Sequence, residues 1–278
     1  MTTTTPVADS PSIDAAGSGS FGGILASEWT KLRSVRSTVR SLLILVVLTL
    51  GFTALFTWLT VSQWDKTGHS EQTQILADPV GTILGAGFQL SQLAICVLGV
   101  LFMASEYSTG MIRSSLLAVP KRTPMLWAKC LVFAGVVFVV AELVAFPSFF
   151  IGASILHSKA QVALGDPGVA RAVVGAGLYL AVLGLFALAI GAIVRHTAGA
   201  ITGIIGFVLV LSPLAQLLPG SVGEHVHSYL PSEAGHLIAQ AHQGPNDLLS
   251  PWQGFAVFCL WTAVLLGGAA YLLNRRDA

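Results

Sequence analysis

Charge is what this sequence has least of. Only 10% of its 278 residues are Asp, Glu, Lys or Arg, while 54% are hydrophobic; a soluble domain carries about 25% charged residues. A chain so poor in charge cannot cover a soluble core with a solvated surface. Its apolar residues are gathered in long runs, which makes an integral membrane protein the expected class. The formal net charge of +1 offers no argument for a nucleic-acid partner, and none is expected; the placement of the few charges matters more than their sum. Cysteine is also scarce. Cys96, Cys130 and Cys259 each stand alone in or beside an apolar run, with no CxxC pair, which argues against a disulfide framework or a zinc site and for small buried hydrophobes.

Catalytic signatures are missing as well. There is no GxxxxGK[ST] phosphate loop, no HExxH and no paired-carboxylate spacing, so neither ATP hydrolysis nor another hydrolysis is expected of this chain by itself. Four histidines, His225, His227, His236 and His242, crowd one loop. Their spacing fits no metal-site pattern and no cysteine accompanies them, so no metal ligand is assigned.

What is present begins with a polar segment. Residues 1–20 are rich in Thr, Ser, Ala, Gly and Pro and are expected to form a disordered tail; a signal peptide is not expected there, because the first long apolar run starts only at Ser41. Residues 21–40 have helical periodicity. At 100° per residue, Phe21, Ile24, Leu25, Trp29, Leu32, Val35 and Val39 share an arc of about 140°. Such a helix suits the membrane interface. Glu28 falls inside the apolar arc and therefore demands a partner.

Six spans are predicted, near 41–61, 83–104, 129–153, 172–194, 198–218 and 252–273, each about 20 residues or longer as a bilayer requires. The fourth and fifth are separated only by Arg195, His196 and Thr197, which predicts a tight helical hairpin. If the amino terminus is cytoplasmic, eleven of the 14 basic residues lie inside, leaving Lys66, Lys159 and Arg171 outside. That asymmetry predicts a plasma- or inner-membrane protein with both termini in the cytoplasm. The outer loop 219–251 is unusually apolar and punctuated by Pro231, Pro245 and Pro251, a pattern suited to short helices that dip into the outer leaflet. Within the spans, Glu142 stands near the centre of the third, where a carboxyl is costly and faces a polar interior or another helix. It is the candidate for a translocation path, with a structural hydrogen-bonding role as the alternative. Pro147 is expected to bend the same helix, and the pairs Gly81/Gly85 and Gly199/Gly203 have the spacing of close helix packing.

Between the second and third spans lies SEYSTGMIRSSLLAVPKR, residues 105–122. Met111, Ile112, Leu116 and Leu117 give it a short apolar face and Pro120 stops it, so it reads as a small helix able to seat in the groove of a soluble partner. Together with SEWTKLRSVRST (27–38) and the pattern E-x3-G-x9-P-x-R, this order of elements resembles the permease subunits of ABC-2 type ATP-binding cassette (ABC) transporters, as found in actinobacteria. The resemblance runs from about residue 21 to the end, with the segment 21–278 as one transmembrane domain. It implies an all-α, six-span exporter fold with an amphipathic elbow helix holding Glu28, Trp29, Lys31 and Arg33. It also implies an ATPase-coupling segment holding Glu106, Gly110, Arg113, Pro120, Lys121 and Arg122, with Lys129 opening the next span. A separate cytoplasmic ATPase would carry ATP and Mg, this chain would carry no cofactor, and a second copy or a sister permease would complete the path. An apolar or amphiphilic cargo is an expectation by analogy. Two other classes compete: a secondary transporter or channel, which predicts inverted repeats and several midplane ionisable groups, and a membrane-embedded sensor or assembly protein.

Overall fold

A computed structural model describes residues 21–34, 36–108, 110, 122–217, 219–244 and 247–275. The expected tail 1–20 and most of the coupling segment, including Arg113, Pro120 and Lys121, lie outside the described residues. Within them the chain is all-helical, and five helices are long and apolar enough to cross a membrane, the architecture of a polytopic membrane protein. In chain order the described α-helices are α1 (Phe21–Ser34), α2 (Arg36–Ser62), α3 (His69–Ala77), α4 (Pro79–Ser108), α5 (Arg122–Leu156), α6 (Val169–Val194), α7 (Thr197–Leu209), α8 (Leu211–Gln216), α9 (Gly220–Tyr229), α10 (Pro231–His236) and α11 (Pro251–Arg275).

The five long helices are α2, α4, α5, α6 and α11, and α6 is their hub. Its apolar stretch is about two-thirds inside the protein, whereas that of α2 is 22% inside, so α2 presents most of its surface outward. Helix α6 can be central because small residues recur along it (Ala172, Gly175, Ala176, Gly177, Gly184, Ala187, Gly191), all of them buried. A side chain added at Gly99 of α4 would lie 2.5 Å from the Gly184 carbonyl of α6, so these two helices meet almost backbone to backbone. The pairs Gly81/Gly85 and Gly199/Gly203 do not serve this purpose inside the chain. Gly81 faces the Asp78 carboxylate and Gly199 the His196 ring, while Gly85 and Gly203 face open space.

Of the expected amphipathic stretch 21–40, α1 holds Phe21–Ser34 and α2 begins at Arg36, while residue 35 between them lies outside the described residues. The fifth span is not one helix: α7 has 13 residues, about 20 Å at 1.5 Å per residue, against a hydrocarbon core of about 30 Å. Pro213 explains the break. It lacks the N–H that would bond to the Leu209 carbonyl, and its ring crowds that carbonyl, so α7 stops there and α8 resumes after Val210. Helix α5, in contrast, continues through Pro147.

The expected hairpin is present. Arg195 adopts φ 57° and caps α6, with its N–H donating to the Gly191 carbonyl; His196 caps α7 by accepting from the Gly199 N–H at 3.1 Å. At the opposite end, α9, α10 and a 3-10 turn (Leu237–Ala239) fill the 219–251 region, and Ala234 and Ile238 are fully buried against α6 and α11. The apolar character of that region is thus used within the bundle itself.

Candidate functional site: a buried ion cluster between three helices

Helix α1 turns the stripe Ile24, Glu28 and Leu32 inward, each four residues from the next, while Trp29 is 50% exposed. Glu28 lies in that stripe because it meets a cation. The Lys129 ammonium, only 1% exposed, donates to Glu28 Oε2 at 2.7 Å and to Glu106 Oε1 at 2.7 Å. Lys31 donates to the other Glu28 oxygen at 2.6 Å and stands 3.7 Å from Glu106. Two carboxylates and two ammonium groups therefore balance within one cluster joining α1, the end of α4 and the start of α5.

The local sequence builds this geometry by helical spacing. Phe102 and Glu106 are four apart on α4, and Lys129 and Phe133 are four apart on α5, so each helix offers one ring and one ion on the same face. The rings stack with centroids 5.0 Å apart, and Lys129 Nζ also lies 4.6 Å from the Phe102 centroid. The stack excludes water from one side of the ions, where an unpaired charge would be expensive.

Electrostatics at the α1 side follow from this enclosure. Burial alone pushes the Glu28 carboxyl up, but attraction to Lys129, helped by hydrogen bonds from Lys129 and Lys31, outweighs it and holds the carboxyl below its ordinary value. Burial likewise pulls Lys31 down, yet its hydrogen bond to Glu28 and the nearby Glu106 hold it above its ordinary value. Both groups are charged at neutral pH.

Other contacts gather at the same end. The Arg195 guanidinium lies 4.8 Å from the Tyr107 ring centroid and donates to the Leu272 carbonyl at 3.5 Å, while Asn274 donates to Thr123 at 3.2 Å. Thus the last turns of α4 and α11, the first turn of α5 and the α6–α7 turn are linked around the ion cluster.

Of the residues singled out by sequence, Glu28, Lys31 and Glu106 come together, and Lys129 proves to be their centre. Arg33 is exposed on α1. Gly110 has φ 71°, a left-handed conformation that glycine adopts without steric cost, and sits just past the end of α4. Arg122 opens α5. Glu142 is elsewhere: both carboxyl oxygens are shielded and form no hydrogen bond among the described residues. They lie against Gly177, where an added side chain would stand 2.2 Å from Oε1, which puts Glu142 in the α5–α6 packing interface. Among the described residues no cluster of His, Cys, Asp and Glu could hold a metal ion. Sequence reasoning flagged Glu28 as an anomaly but did not find Lys129 as its partner. The two four-residue spacings set a ring beside an ion on each helix, but nothing local in the sequence names Lys129 as the partner of Glu28.

No protein-family model matches this chain, and no curated protein resembles it significantly.

Proposed function

We propose that this chain is the membrane-spanning subunit of an ATP-driven ABC-2 type exporter, with ATP hydrolysed by a separate cytoplasmic ATPase. The observation that carries the reading is the ion cluster. It fastens the amphipathic helix α1 to the two helix ends that flank residues 109–121, the segment assigned to the ATPase. In this reading the cluster-bearing end faces the cytoplasm and Trp29 anchors α1 in the interface. A push on the 109–121 segment reaches Glu106 and Lys129 first. Because both are ion-paired to α1, the segment, α1, α4 and α5 move as one rigid element rather than bending separately. Transport then follows from tilting that element against α6, with a second copy or a sister permease forming the other wall.

The test is capture of a partner. Tagged chain extracted in mild detergent should co-purify with an ATPase encoded beside it and stimulate its ATP hydrolysis in proteoliposomes. Failure of both would refute the reading. ATP-independent flux in the same vesicles would instead select the secondary-transporter alternative.

A further inference from the structure

At the end of the bundle opposite α1, a cleft of about 450 Å³ opens between α3, the first turns of α4 and the 3-10 turn after α10. That is within the range of small-molecule pockets. Its rim carries Glu71 and Asp78, its floor Ile75, Leu84 and Phe88, and among the described residues no Lys or Arg lines it. His236 closes one wall with its ring 5.2 Å from that of Phe88, and burial lowers its affinity for a proton, so the wall adds no positive charge near neutrality.

Leu84 and Phe88 also bound a second space, a chamber of about 20 Å³ lined by Thr49, Thr53, Ser91 and Ser148. Thr49 and Ser91 hydrogen-bond to each other at 2.8 Å. Thr53 and Ser148, each only 1% exposed, have hydroxyls with no hydrogen-bond partner among the described residues. Unpaired hydroxyls at that depth are costly, and a polar guest atom would satisfy them; the chamber is large enough for one. The cleft thus has a negative rim and an aromatic and aliphatic floor, and the small space beside it shares Leu84 and Phe88 and sets four hydroxyls in an otherwise apolar wall.

We propose that the cleft and chamber are one binding site for an amphiphilic organic cation. The carboxylates draw the charged group, Phe88 and its apolar neighbours take the hydrophobic body, and the aromatic ring favours a cation over an anion of the same shape. This names a cargo class for the exporter reading and rests on that reading for its role in transport, but binding itself needs no ATPase.

The experiment is titration calorimetry of the full chain in zwitterionic nanodiscs with tetraphenylphosphonium, against empty nanodiscs and the isosteric anion tetraphenylborate. Saturable binding of the cation alone, weakened at least tenfold by Glu71→Gln/Asp78→Asn and by Phe88→Ala, supports the site. Asparagine preserves the cap that Asp78 provides to Gly81, and the exposed Glu71→Gln alone serves as a second variant should the double one misfold; it should weaken the cation at least threefold. Equal binding of the two probes, or unchanged affinity in the acidic-residue variants, overturns the proposal. So does the absence of saturable binding, whatever the outcome of ATPase capture.

Discussion

One end of the bundle is joined by ions and the other by backbone. At the α1 end, Lys129 bridges Glu28 and Glu106 at 2.7 Å each. At the opposite end, the Ile238 carbonyl seats against Gly175 of α6 and the Ala234 carbonyl against Gly254 of α11, where an added side chain would stand only 2.1 and 2.3 Å away. Arg171 reinforces that seat by donating to the carbonyls of Ile238 and Ala241 at 3.3 and 3.0 Å. Ion pairs respond to charge, pH and a partner's field. A carbonyl in a glycine notch responds to none of these. The contrast suits one end that receives a signal and one that holds a fixed frame.

Removing the bridge should do the most damage. Lys129→Ala leaves two buried carboxylates facing each other with, among the described residues, only Lys31 near them, and a loss of about 3–5 kcal/mol is expected, read as a lowered melting temperature in detergent and faster proteolysis within α1. Filling a notch should come next. Gly175→Ala forces the Ile238 backbone away and should cost about 1–3 kcal/mol, with protection lost in 231–241 and kept in α1 by hydrogen exchange. Should the two variants loosen the same end, the division of labour is wrong.

Acid separates the ends more gently. Because Glu28 is held below its ordinary value, its contribution is present above about pH 4.5 and is lost as pH falls through the lower, folded value. Lys31, held above its ordinary value of 10.5, contributes below that pH and loses its share only as pH rises through the higher, folded value. Acidification should therefore release α1 while 231–241 stays protected, and Glu28→Gln should flatten that response. Lys31→Ala should cost less, about 0.2–1 kcal/mol, since its side chain is 28% exposed. The smallest effect on stability is expected from Glu28→Leu/Glu106→Leu/Lys129→Met, which replaces the whole cluster by apolar side chains and should fold near wild-type stability. If the cluster transmits motion, that variant loses ATPase stimulation while keeping its melting temperature; retained stimulation would reduce the cluster to a packing feature.

Much of this was legible before any helix was placed. The apolar runs locate α2, α4, α5, α6 and α11, although α2, α4 and α5 run on past the apolar limits into polar ends such as Arg36 and Arg122. Location is legible because lipid tolerates little backbone other than helix and each helix needs about 20 apolar residues to cross. The 195–197 turn was legible for the same reason, since so few residues between two runs leave room only for a hairpin. The break after α7 was not, although Pro213 was in plain view: whether a proline kinks or ends a helix depends on what surrounds the freed carbonyl, and Pro147 in α5 shows the other outcome. Glu28 was legible as a misfit but not as a solved one. Its partner lies 101 residues away, a distance that periodicity cannot bridge. Helix-spaced glycines were open in the same way: Gly85 and Gly203 meet no other helix among the described residues, because spacing says which residues share a face, not which face meets another helix.

By itself, then, the sequence determined the membrane-like class, the approximate limits of the five long helices and the helical period of α1, since all of these follow from local hydropathy and helical period; it counted one span too many. Tertiary structure alone decided that Lys129 pairs with Glu28 and Glu106, that Glu142 packs against Gly177, and that Ile238 and Ala234 dock in glycine notches. Those choices depend on which faces touch. That is settled by the packing of all the helices together, where burying each charge beside its counter-charge, and each small residue beside a neighbouring backbone, admits few arrangements.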